Sequence, residues 1–408
     1  MRLIYVTANL PHGTDEAFVI PEITRLRQLG HDVLVVPRSP TGDIVHGAEL
    51  LNYSQRETLL SRNVLQAAAA ATMTQFGKLT ALLQRLRASR SAEVAAKNLA
   101  VLPKAMWLSS LAAQWEADHI HCHWGGTTAT MAMIASQLSG VPWSFTLHRW
   151  DIVEDNLLAL KARSARMVRF ISEDGLKMGR KLGVPEADHV RVLHMGVEMP
   201  AVPKNPRPDG RIVFCPARLV EVKGHRFLLE AWKRLKDQSA EWELWLAGDG
   251  PLREPLERLA ASLGVRSSIR FLGTIPHKRL LEMYEQFGIA AVVLPSVDLG
   301  GGNHEGIPVA LIEAMSYGIP VVATRTGGTG ELIQPGTGLL VEPENPVALS
   351  RAIQSLLGNP AGAQRLGSYG RSHVAQEFDI HRIVSELTNV FEATRRDGRR
   401  MAAAFATS

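Results

Sequence analysis

The order of apolar segments along this chain predicts an α/β protein built from two doubly wound parallel sheets. Short apolar runs alternate with amphipathic patterns of about ten residues in the first half, and the same alternation begins again after residue 210. Parallel strands need long crossover connections, which are usually helices, so the alternation predicts one parallel sheet in each half. Residues 195–210 are rich in Pro and Asn and are predicted to link the two halves.

Each half is predicted element by element. Strands are predicted at residues 3–6, 31–36, 119–123, 143–147 and 167–171, and then at 212–215, 244–247, 269–272, 290–295, 320–323 and 338–341. Helices are predicted at residues 20–29, 128–138, 157–166, 225–235, 252–263, 278–287, 308–318 and 346–357, with further helical patterning over 55–115. We therefore predict a first domain over residues 1–200, a second over residues 201–380, and a C-terminal helix over residues 381–408 that packs back toward the first domain and has a frayed tail.

Composition places the chain among ordinary soluble α/β proteins. Of its 408 residues, 46% are hydrophobic and 21% are charged, and the net charge of +5 suits anionic substrates or an anionic membrane surface. Cys122 and Cys215 lie in apolar segments and are predicted to be reduced thiols in the core, so a disulfide framework is excluded. The first apolar run is too short for a signal peptide, and no window approaches the roughly 18 apolar residues of a spanning helix. We expect a cytoplasmic protein, soluble or peripheral at the membrane face, with no nucleic-acid partner.

The segment at residues 299–323 says most about function. A Gly-rich loop leads into Glu305, Gly306, Ile307 and Pro308, and Glu313 follows on the predicted helix. Pro suits the first turn of a helix, and a Gly-rich approach leaves backbone N–H groups unpaired at the helix N-terminus, which is an anion site. Glu313 is placed about two turns from Glu305 on the same side of the helix. An anion site flanked by two carboxylates predicts a nucleotide sugar, with phosphates at the N–H groups, the sugar at one glutamate and the ribose at the other.

Two cations follow the first strand of the second half. Arg218 and Lys223 lie in one loop and could both reach a diphosphate, although a solvated basic loop is the alternative. Gly248 and Gly250 follow the next strand, where glycine allows a tight turn and the close approach of a ligand. Ile275, after the third strand, is predicted to form part of a wall for the nucleotide base.

The first half offers polar residues at the corresponding strand ends. His148 ends the strand at residues 143–147 and is predicted to face the ligand, with a satisfied core histidine as the alternative. Gly13 follows the first strand, where the backbone could approach a ligand, with a simple turn as the alternative. His123 and Asp151 are predicted to lie on the acceptor side of this edge.

A histidine-rich strand raises the alternative of a metal site. His119, His121 and His123 alternate along one strand, so their side chains point to one face. We expect no metal there, because no carboxylate or cysteine shares that face of the run. The chain also has no Asp-x-Asp pair to hold a divalent ion.

Together these motifs resemble the donor domain of glycosyltransferase family 4, the retaining enzymes of GT-B fold. The resemblance rests on residues 305–323, Arg218, Lys223, the Gly248-Asp249-Gly250 turn and residues 336–341, which occur in the family's order and cover nearly the whole second half. In the first half, residues 118–123 and 144–151 resemble the branch that builds exopolysaccharide and colanic-acid-type repeat units. The loop after the first strand departs from the family's double glycine, since Gly13 is followed by Thr14-Asp15-Glu16.

The resemblance implies how the chain folds and what it contacts. It implies two Rossmann-like domains facing a central cleft, and a nucleotide diphosphate sugar as co-substrate with no further cofactor and no metal. It implies Arg218 and Lys223 on the diphosphate, Glu305 on the donor sugar, Glu313 on the ribose and His148 beside the reacting sugar. It also implies an acceptor that is a glycan or is linked to a polyprenyl diphosphate.

The resemblance implies the transfer of a hexose-type sugar with retention of configuration. No residue is an evident nucleophile, so we favour front-face displacement, in which Arg218, Lys223 and the helix amides stabilise the leaving diphosphate. Two other functions remain open. A nucleotide-sugar epimerase of the same fold should carry additional acid and base carboxylates, and a non-catalytic sugar-nucleotide-binding protein should lack one of the two cations or the two glutamates.

The helical region of the first half also carries a basic amphipathic stretch. Its cations are Lys78, Arg85, Arg87, Arg90, Lys97 and Lys104, opposed by Glu93. Such a stretch can lie in the interface of an anionic membrane. The alternative is a solvated helix face over the core of the first domain.

Overall fold

Two compact units make up the chain. The computed structural model describes residues 1–13, 16–201, 210–236 and 242–406, with side chains up to residue 395. The first unit consists of Met1–His194 together with His381–Ser408, and the second of Met195–Ile380. The predicted linker therefore belongs to the second unit, and its residues 202–209 lie outside the described part.

The first unit is built around a six-stranded parallel sheet. Its strands are β1 (Arg2–Thr7), β2 (Asp32–Pro37), β3 (His119–His123), β4 (Trp143–Leu147), β5 (Met167–Phe170) and β6 (Val190–Val192). Their order is β2-β1-β3-β4-β5-β6, and every neighbouring pair is parallel. The strands β3, β4 and β5 are buried along their whole length, as expected of parallel strands covered on both faces.

Helices connect these strands, and several of them fill the interval between β2 and β3. They are α1 (Ile20–Gln28), α2 (Arg62–Thr74), α3 (Phe76–Leu86), α4 (Ala92–Ala100), α5 (Leu102–Gln114), α6 (Thr127–Ser139), α7 (Arg149–Glu154), α8 (Leu158–Ser164) and α9 (Glu173–Lys181). Ser61 and Ser91 begin α2 and α4 by accepting backbone N–H groups one turn ahead. Leu79, Leu82 and Leu86 form the buried stripe of α3, which packs into the core of this unit.

The position of Lys104 contradicts one part of the predicted basic surface. The sequence predicts a solvated or membrane-facing side chain, but Lys104 is fully buried. Its ammonium group donates to the carbonyl oxygens of Pro37, Arg38 and Glu57, and burial lowers its pKa to about 8. Lys104 therefore holds the chain leaving β2 against α5, which a sequence pattern of alternating cations cannot show.

The second unit repeats the architecture with its own six-stranded parallel sheet. Its strands are β7 (Ile212–Pro216), β8 (Glu243–Ala247), β9 (Ile269–Gly273), β10 (Ile289–Leu294), β11 (Val321–Thr324) and β12 (Leu339–Val341). Their order is β12-β11-β10-β7-β8-β9, again with parallel neighbours. The prediction of two doubly wound parallel sheets is confirmed.

The helices of the second unit include two that are not predicted from the sequence, the fifth and the last. In chain order, the helices are α10 (His225–Lys236), α11 (Arg253–Ser262), α12 (His277–Gln286), α13 (Val309–Ser316), α14 (Thr329–Leu332), α15 (Pro346–Leu357) and α16 (Pro360–Glu377). Glycines interrupt the apolar pattern of α16, and they disfavour helix in isolation. The close contact of Gly367 with the carbonyl of Gly318 explains one of them, because a Cβ there would lie 2.0 Å from that oxygen.

A final helix, α17 (Ile380–Ala406), follows the second unit in sequence but packs in the first. The ring of Phe391 stacks on His119 of β3 with centroids 4.5 Å apart. Thr394 Oγ1 lies 3.2 Å from Nδ1 of the same histidine. Among the helices described, none is both long enough and apolar enough to cross a bilayer.

Candidate functional site

Loops at the carboxyl edge of the second sheet bring distant parts of the sequence together. The strands β7 and β10 are neighbours, but the chain leaves β7 toward β8 on one side and leaves β10 toward β11 on the other. Such a switch point is where open α/β sheets bind ligands. The loop after β7 carries Arg218 and Lys223, and the loop after β10 carries Ser296 and Glu305.

Lys223 and Glu305 form an ion pair at this switch point. Nζ of Lys223 donates to Oε2 of Glu305, and Ser296 Oγ donates to the same oxygen from 3.0 Å. The two charged side chains are 21% and 14% exposed, so a ligand can reach both. Gly224 makes the approach of the loops possible, because a Cβ there would lie 2.0 Å from the carbonyl oxygen of Pro295.

The glycines after β8 position the loop that carries Arg218. A Cβ at Gly248 would lie 2.1 Å from the carbonyl oxygen of Ala217, and a Cβ at Gly250 would lie 2.5 Å from that of Leu219. Both positions therefore require glycine because the backbone of the loop after β7 lies against them. Arg218, in the loop after β7, is exposed.

Glu313 pairs with a histidine that lies far away in the sequence. Oε1 of Glu313 is 2.6 Å from Nε2 of His277, the first residue of α12. Burial lowers the pKa of His277, but the hydrogen bond and charge of Glu313 outweigh it, so the pKa lies above its ordinary value. The side chains are 21% and 10% exposed. The pair fixes the orientation of the Glu313 carboxylate. The two residues are 36 positions apart in the sequence, so no local pattern predicts that they meet.

The helix that carries Glu313 begins later than predicted. Pro308 is the N-cap and Val309 is the first helical residue of α13. Glu305 therefore lies in the loop before the helix, and the predicted helical spacing between Glu305 and Glu313 is wrong. The two carboxylates instead belong to different structural elements and have different partners.

The remaining predicted donor contacts lie in the loops before α12 and α13. Ile307 and Pro308 are buried, and Gly306 is half-buried. Ile275 is half-buried and packs against the core of the second unit. The side chains of Ile307 and Pro308 pack inside the protein, so a ligand would contact the backbone of these residues.

In the first unit, Glu22 is the centre of a fully buried charged network. The hydroxyl of Tyr5 donates to Glu22 from 2.9 Å, His123 Nε2 lies 3.1 Å from it, and Arg169 Nη1 donates to it from 2.6 Å. Burial alone raises the pKa of Glu22, but the charges of Arg169 and His123 hold it well below its ordinary value. An ionised carboxylate of α1 thus joins β1, β3 and β5.

His148 extends this network to the end of β4. Its Nε2 lies 3.2 Å from Nδ1 of His123. Burial, and then the neighbouring His123, hold the pKa of His148 well below its ordinary value, so its imidazole is neutral. The carboxylate of Asp151 accepts the backbone N–H of His148 from 2.8 Å at the start of α7, and burial raises its pKa to about 7. The structure brings His123 and His148 together and gives Asp151 a capping contact.

The histidine strand is engaged by protein partners. Ligand atoms of Glu22, His121 and His123 lie within 4.8 Å of one another, which is close enough for a metal. Both ring nitrogens of His121, however, lie against hydroxyl groups of β4, at 2.7 and 3.0 Å. Arg169 already supplies the positive charge beside Glu22. The arrangement fits a polar core, and the absence of a metal there stays a prediction.

The loop after β1 uses its backbone amides on an internal carboxylate. Glu16 is buried and accepts the N–H groups of residues 8, 9 and 10 at 2.9, 2.6 and 2.8 Å. The indole N–H of Trp124 donates to Glu16 from 2.6 Å. Successive amides of this kind form an anion-binding nest, and here Glu16 fills it.

Gly13 lies beside this nest in a left-handed conformation, with φ of 76°. Its N–H donates to the carbonyl oxygen of Asp43 at 2.8 Å. Residues 14 and 15, which replace the second glycine of the resembled family, lie outside the described residues.

Comparison with protein families covers both units. A model described as a glycosyl transferase 4-like domain matches residues 22–217, and the model of glycosyl transferases group 1 matches residues 201–373. The matches follow each other in the order of the two sheets. Each half of the chain therefore matches a family model of glycosyl transferases.

Individual glycosyltransferases show the breadth of this likeness. A mannosyltransferase of Corynebacterium glutamicum, named as GDP-mannose-dependent and acting on monoacylated phosphatidylinositol monomannoside, is 31% identical over 45% of this chain. The match spans 48% of that relative, about half of its length. The amylovoran biosynthesis glycosyltransferase of Erwinia amylovora is 25% identical over 96% of this chain and 99% of its own.

A solved structure confirms the fold class of this chain. The HepE protein of Anabaena, crystallised in complex with UDP and glucose, superposes with a TM-score of 0.72 at 18% identity. The superposition covers 95% of this chain and 99% of HepE. The predicted GT-B class, with two Rossmann-like sheets, is therefore confirmed.

Proposed function

We propose that this glycosyltransferase moves a hexose-type sugar, with retention of configuration, from a nucleotide diphosphate sugar to a glycan or lipid-linked glycan acceptor in polysaccharide biosynthesis. The observation that carries the proposal is the Lys223–Glu305 pair at the switch point of the second sheet. A cation suited to phosphate and a carboxylate suited to sugar hydroxyls meet there in one accessible site. The amylovoran relative and the complex of HepE with UDP and glucose support this substrate class.

The donor contacts follow from the charges of the site. Lys223 and exposed Arg218 bind the diphosphate, and the backbone N–H groups at the start of α13 add to the same positive field. Glu305 binds hydroxyls of the donor sugar. Glu313, oriented by His277, binds the ribose.

The reaction needs charge stabilisation on the leaving diphosphate. Lys223, Arg218 and the helix amides supply it, so we propose that no metal is required. With no nucleophile assigned among the site residues, a phosphate oxygen of the donor takes the proton of the acceptor hydroxyl in a front-face displacement, which retains configuration. His148, neutral at ordinary pH, hydrogen-bonds the reacting sugar without adding charge.

The two rival functions differ from this one in what they release. An epimerase changes the nucleotide sugar without an acceptor, and a non-catalytic binding protein leaves it intact. We would incubate the full chain with a panel of UDP-, GDP- and ADP-hexoses, with and without a membrane extract containing polyprenyl-linked glycans. Acceptor-dependent release of a nucleoside diphosphate supports transfer. Conversion to an epimer, or binding without any turnover across the panel, contradicts it.

We also propose that the first unit contacts an anionic membrane surface. Large apolar side chains are exposed along α2, α3 and the segment preceding α2, among them Met73 at 80% and Phe76 at 66%. Exposed cations lie on the same helices and the turn after them, namely Arg62, Lys78, Arg85, Arg87 and Arg90. Lys97 adds less to this surface than predicted, because it pairs with Glu93 at 2.8 Å. Apolar side chains beside cations suit insertion at the interface of an anionic leaflet.

Liposome cosedimentation tests the membrane proposal. Wild type should bind anionic vesicles, bind neutral ones less, and dissociate at high salt because surface charge attraction is screened. The double variant Met73→Asp, Phe76→Asp should lose binding. Tyr369→Asp, at an equally exposed aromatic residue of α16, should not. Equal binding of wild type to both vesicles, or to neither, removes the proposal and leaves transfer to a soluble acceptor untouched.

A further inference from the structure

A cavity of about 410 Å³ opens at the carboxyl ends of β1 to β4 in the first unit. Its wall is made by residues that follow four different strands and by the junction of α4 and α5. This volume falls in the range of sites that bind small molecules, and this edge of the sheet is where open α/β sheets bind them. No residue that lines this cavity belongs to the proposed donor site, which lies in the second unit.

Two charged residues that line this cavity form no ion pair within the part of the chain that the structure describes. Arg38 donates from Nη1 to Thr127 Oγ1 at 2.7 Å, and among the described residues no carboxylate pairs with it. Glu154 also lines the cavity, and no described cation forms an ion pair with it. Two opposite charges that share a cavity without pairing to each other are available to a ligand that offers both an anion and hydroxyl groups.

Three other residues that line the cavity affect its charge and its shape. Lys97 adds a second cation, although it is paired with Glu93. Asp151 is committed to the His148 backbone, so it does not offset the cations as an open group. Trp124 presents an indole that is held in place by Glu16, in a left-handed backbone conformation with φ of 76°. A fixed aromatic ring beside hydrogen-bonding groups suits a sugar, and strained backbone is often found at ligand sites.

We propose that this cavity, the Arg38–Glu154 pocket, binds an acceptor sugar that carries an anionic group, either a carboxylate or a phosphate. The guanidinium of Arg38 binds the anion, for which its planar fork is suited, and Glu154 accepts hydrogen bonds from ring hydroxyls. The inference rests on the proposed function, since it identifies the chemical class of the acceptor. It predicts that a neutral sugar is a poorer ligand than an acidic one.

Equilibrium binding of three small sugars to the full chain tests this pocket. Glucuronate stands for an acidic sugar unit, glucose 1-phosphate for a sugar joined to a carrier phosphate, and methyl glucoside for the neutral case. Saturation-transfer NMR with titration should show at least one of the two anionic sugars binding at least tenfold more tightly than methyl glucoside. The anionic sugar that is preferred identifies the source of the charge.

Variants locate the binding within the molecule. Arg38→Gln should remove the preference for the anionic sugar, and Arg62→Gln, at an exposed arginine outside the cavity, should keep it. Glu154→Gln should weaken binding of all three sugars while the preference remains, which keeps the test decisive if Arg38→Gln does not fold. Lys223→Ala should leave the preference unchanged, because that residue belongs to the donor site.

Three results overturn the inference. They are equal affinity for all three sugars, an unchanged preference in folded Arg38→Gln, or loss of the preference in Lys223→Ala. Binding of UDP or GDP is measured on the same samples. If a nucleotide binds and the sugar preference is absent, this inference fails alone, and if neither binds, the proposed function fails with it.

Discussion

Both units have charged residues at the carboxyl edge of a six-stranded parallel sheet, but the charges compared here are buried in the first unit and partly exposed in the second. In the first unit, Glu22, Arg169 and His123 are completely buried, and Glu22 is bonded to both of the others. In the second, the Lys223–Glu305 and His277–Glu313 pairs stay partly open to solvent. A charge that is already enclosed by protein partners maintains the fold, whereas a partly exposed pair can exchange its partner for a ligand. The difference supports the proposal that the donor binds at the second unit and that the Glu22 network has a structural role.

Removing a partner from the buried network should have the largest effect. Arg169→Met leaves Glu22 as an uncompensated buried charge and should lower the free energy of unfolding by about 3–5 kcal/mol. Arg270→Met, which breaks the exposed pair with Glu243, should cost less than about 1 kcal/mol. Urea unfolding of both variants measures the contrast. Equal and small losses in the two would show that the buried pair is not a structural element.

Loss of either cation at the proposed donor site should slow turnover and leave stability nearly unchanged. Lys223→Ala and Arg218→Ala should each slow donor turnover at least tenfold, about 1.4 kcal/mol in the barrier, since each removes a charge from the leaving diphosphate. Lys233→Ala, at an exposed lysine of α10, is the matched control and should turn over like wild type. The measurement is the initial rate of nucleoside diphosphate release with the donor sugar selected from the panel. Full activity in either folded site variant excludes these residues from the reaction.

The smallest effect is expected at His277, and it depends on pH. The pKa of His277 is raised in the folded protein, so the folded state holds the proton more tightly than the unfolded state does. The stabilisation by the His277–Glu313 pair is therefore complete below the ordinary histidine pKa of about 6.5 and is lost as pH rises through the higher folded value. The difference in unfolding free energy between wild type and His277→Asn should be larger at pH 5.5 than at pH 8.5. A difference that stays constant or grows with pH contradicts this assignment, and Glu313→Gln should abolish the pH dependence.

The predicted strands agree closely with the structure, because apolar runs of four to six residues are local signals that burial on both faces enforces. The sequence also places Lys223 and Glu305 at the same edge of the second sheet, since the carboxyl ends of parallel strands share one edge, but it does not predict the ion pair between them. Contacts within each unit that join remote residues were out of reach. Arg169 is 147 residues from Glu22, and neither lies in a motif.

Local patterns also misled where the outcome depended on packing. Lys104 reads as a surface cation by its helical neighbours, but three carbonyl oxygens bind its ammonium group in the core. Glu16 reads as a residue in a loop that lacks a second glycine, yet its carboxylate occupies the amides of that loop. In both cases the deciding partner is a backbone group, which carries no identity in the sequence.

Calorimetric titration of UDP and GDP in the presence of EDTA tests the central claim most directly. The claim is that two cations of the second unit, Lys223 and Arg218, hold the donor diphosphate, and that a metal does not. Wild type should bind at least one of the two nucleotides in EDTA. Lys223→Ala should raise the dissociation constant at least tenfold, and Lys233→Ala should match wild type. Binding that appears only after a divalent metal is added, equal affinity in Lys223→Ala, or no binding of either nucleotide would contradict the account.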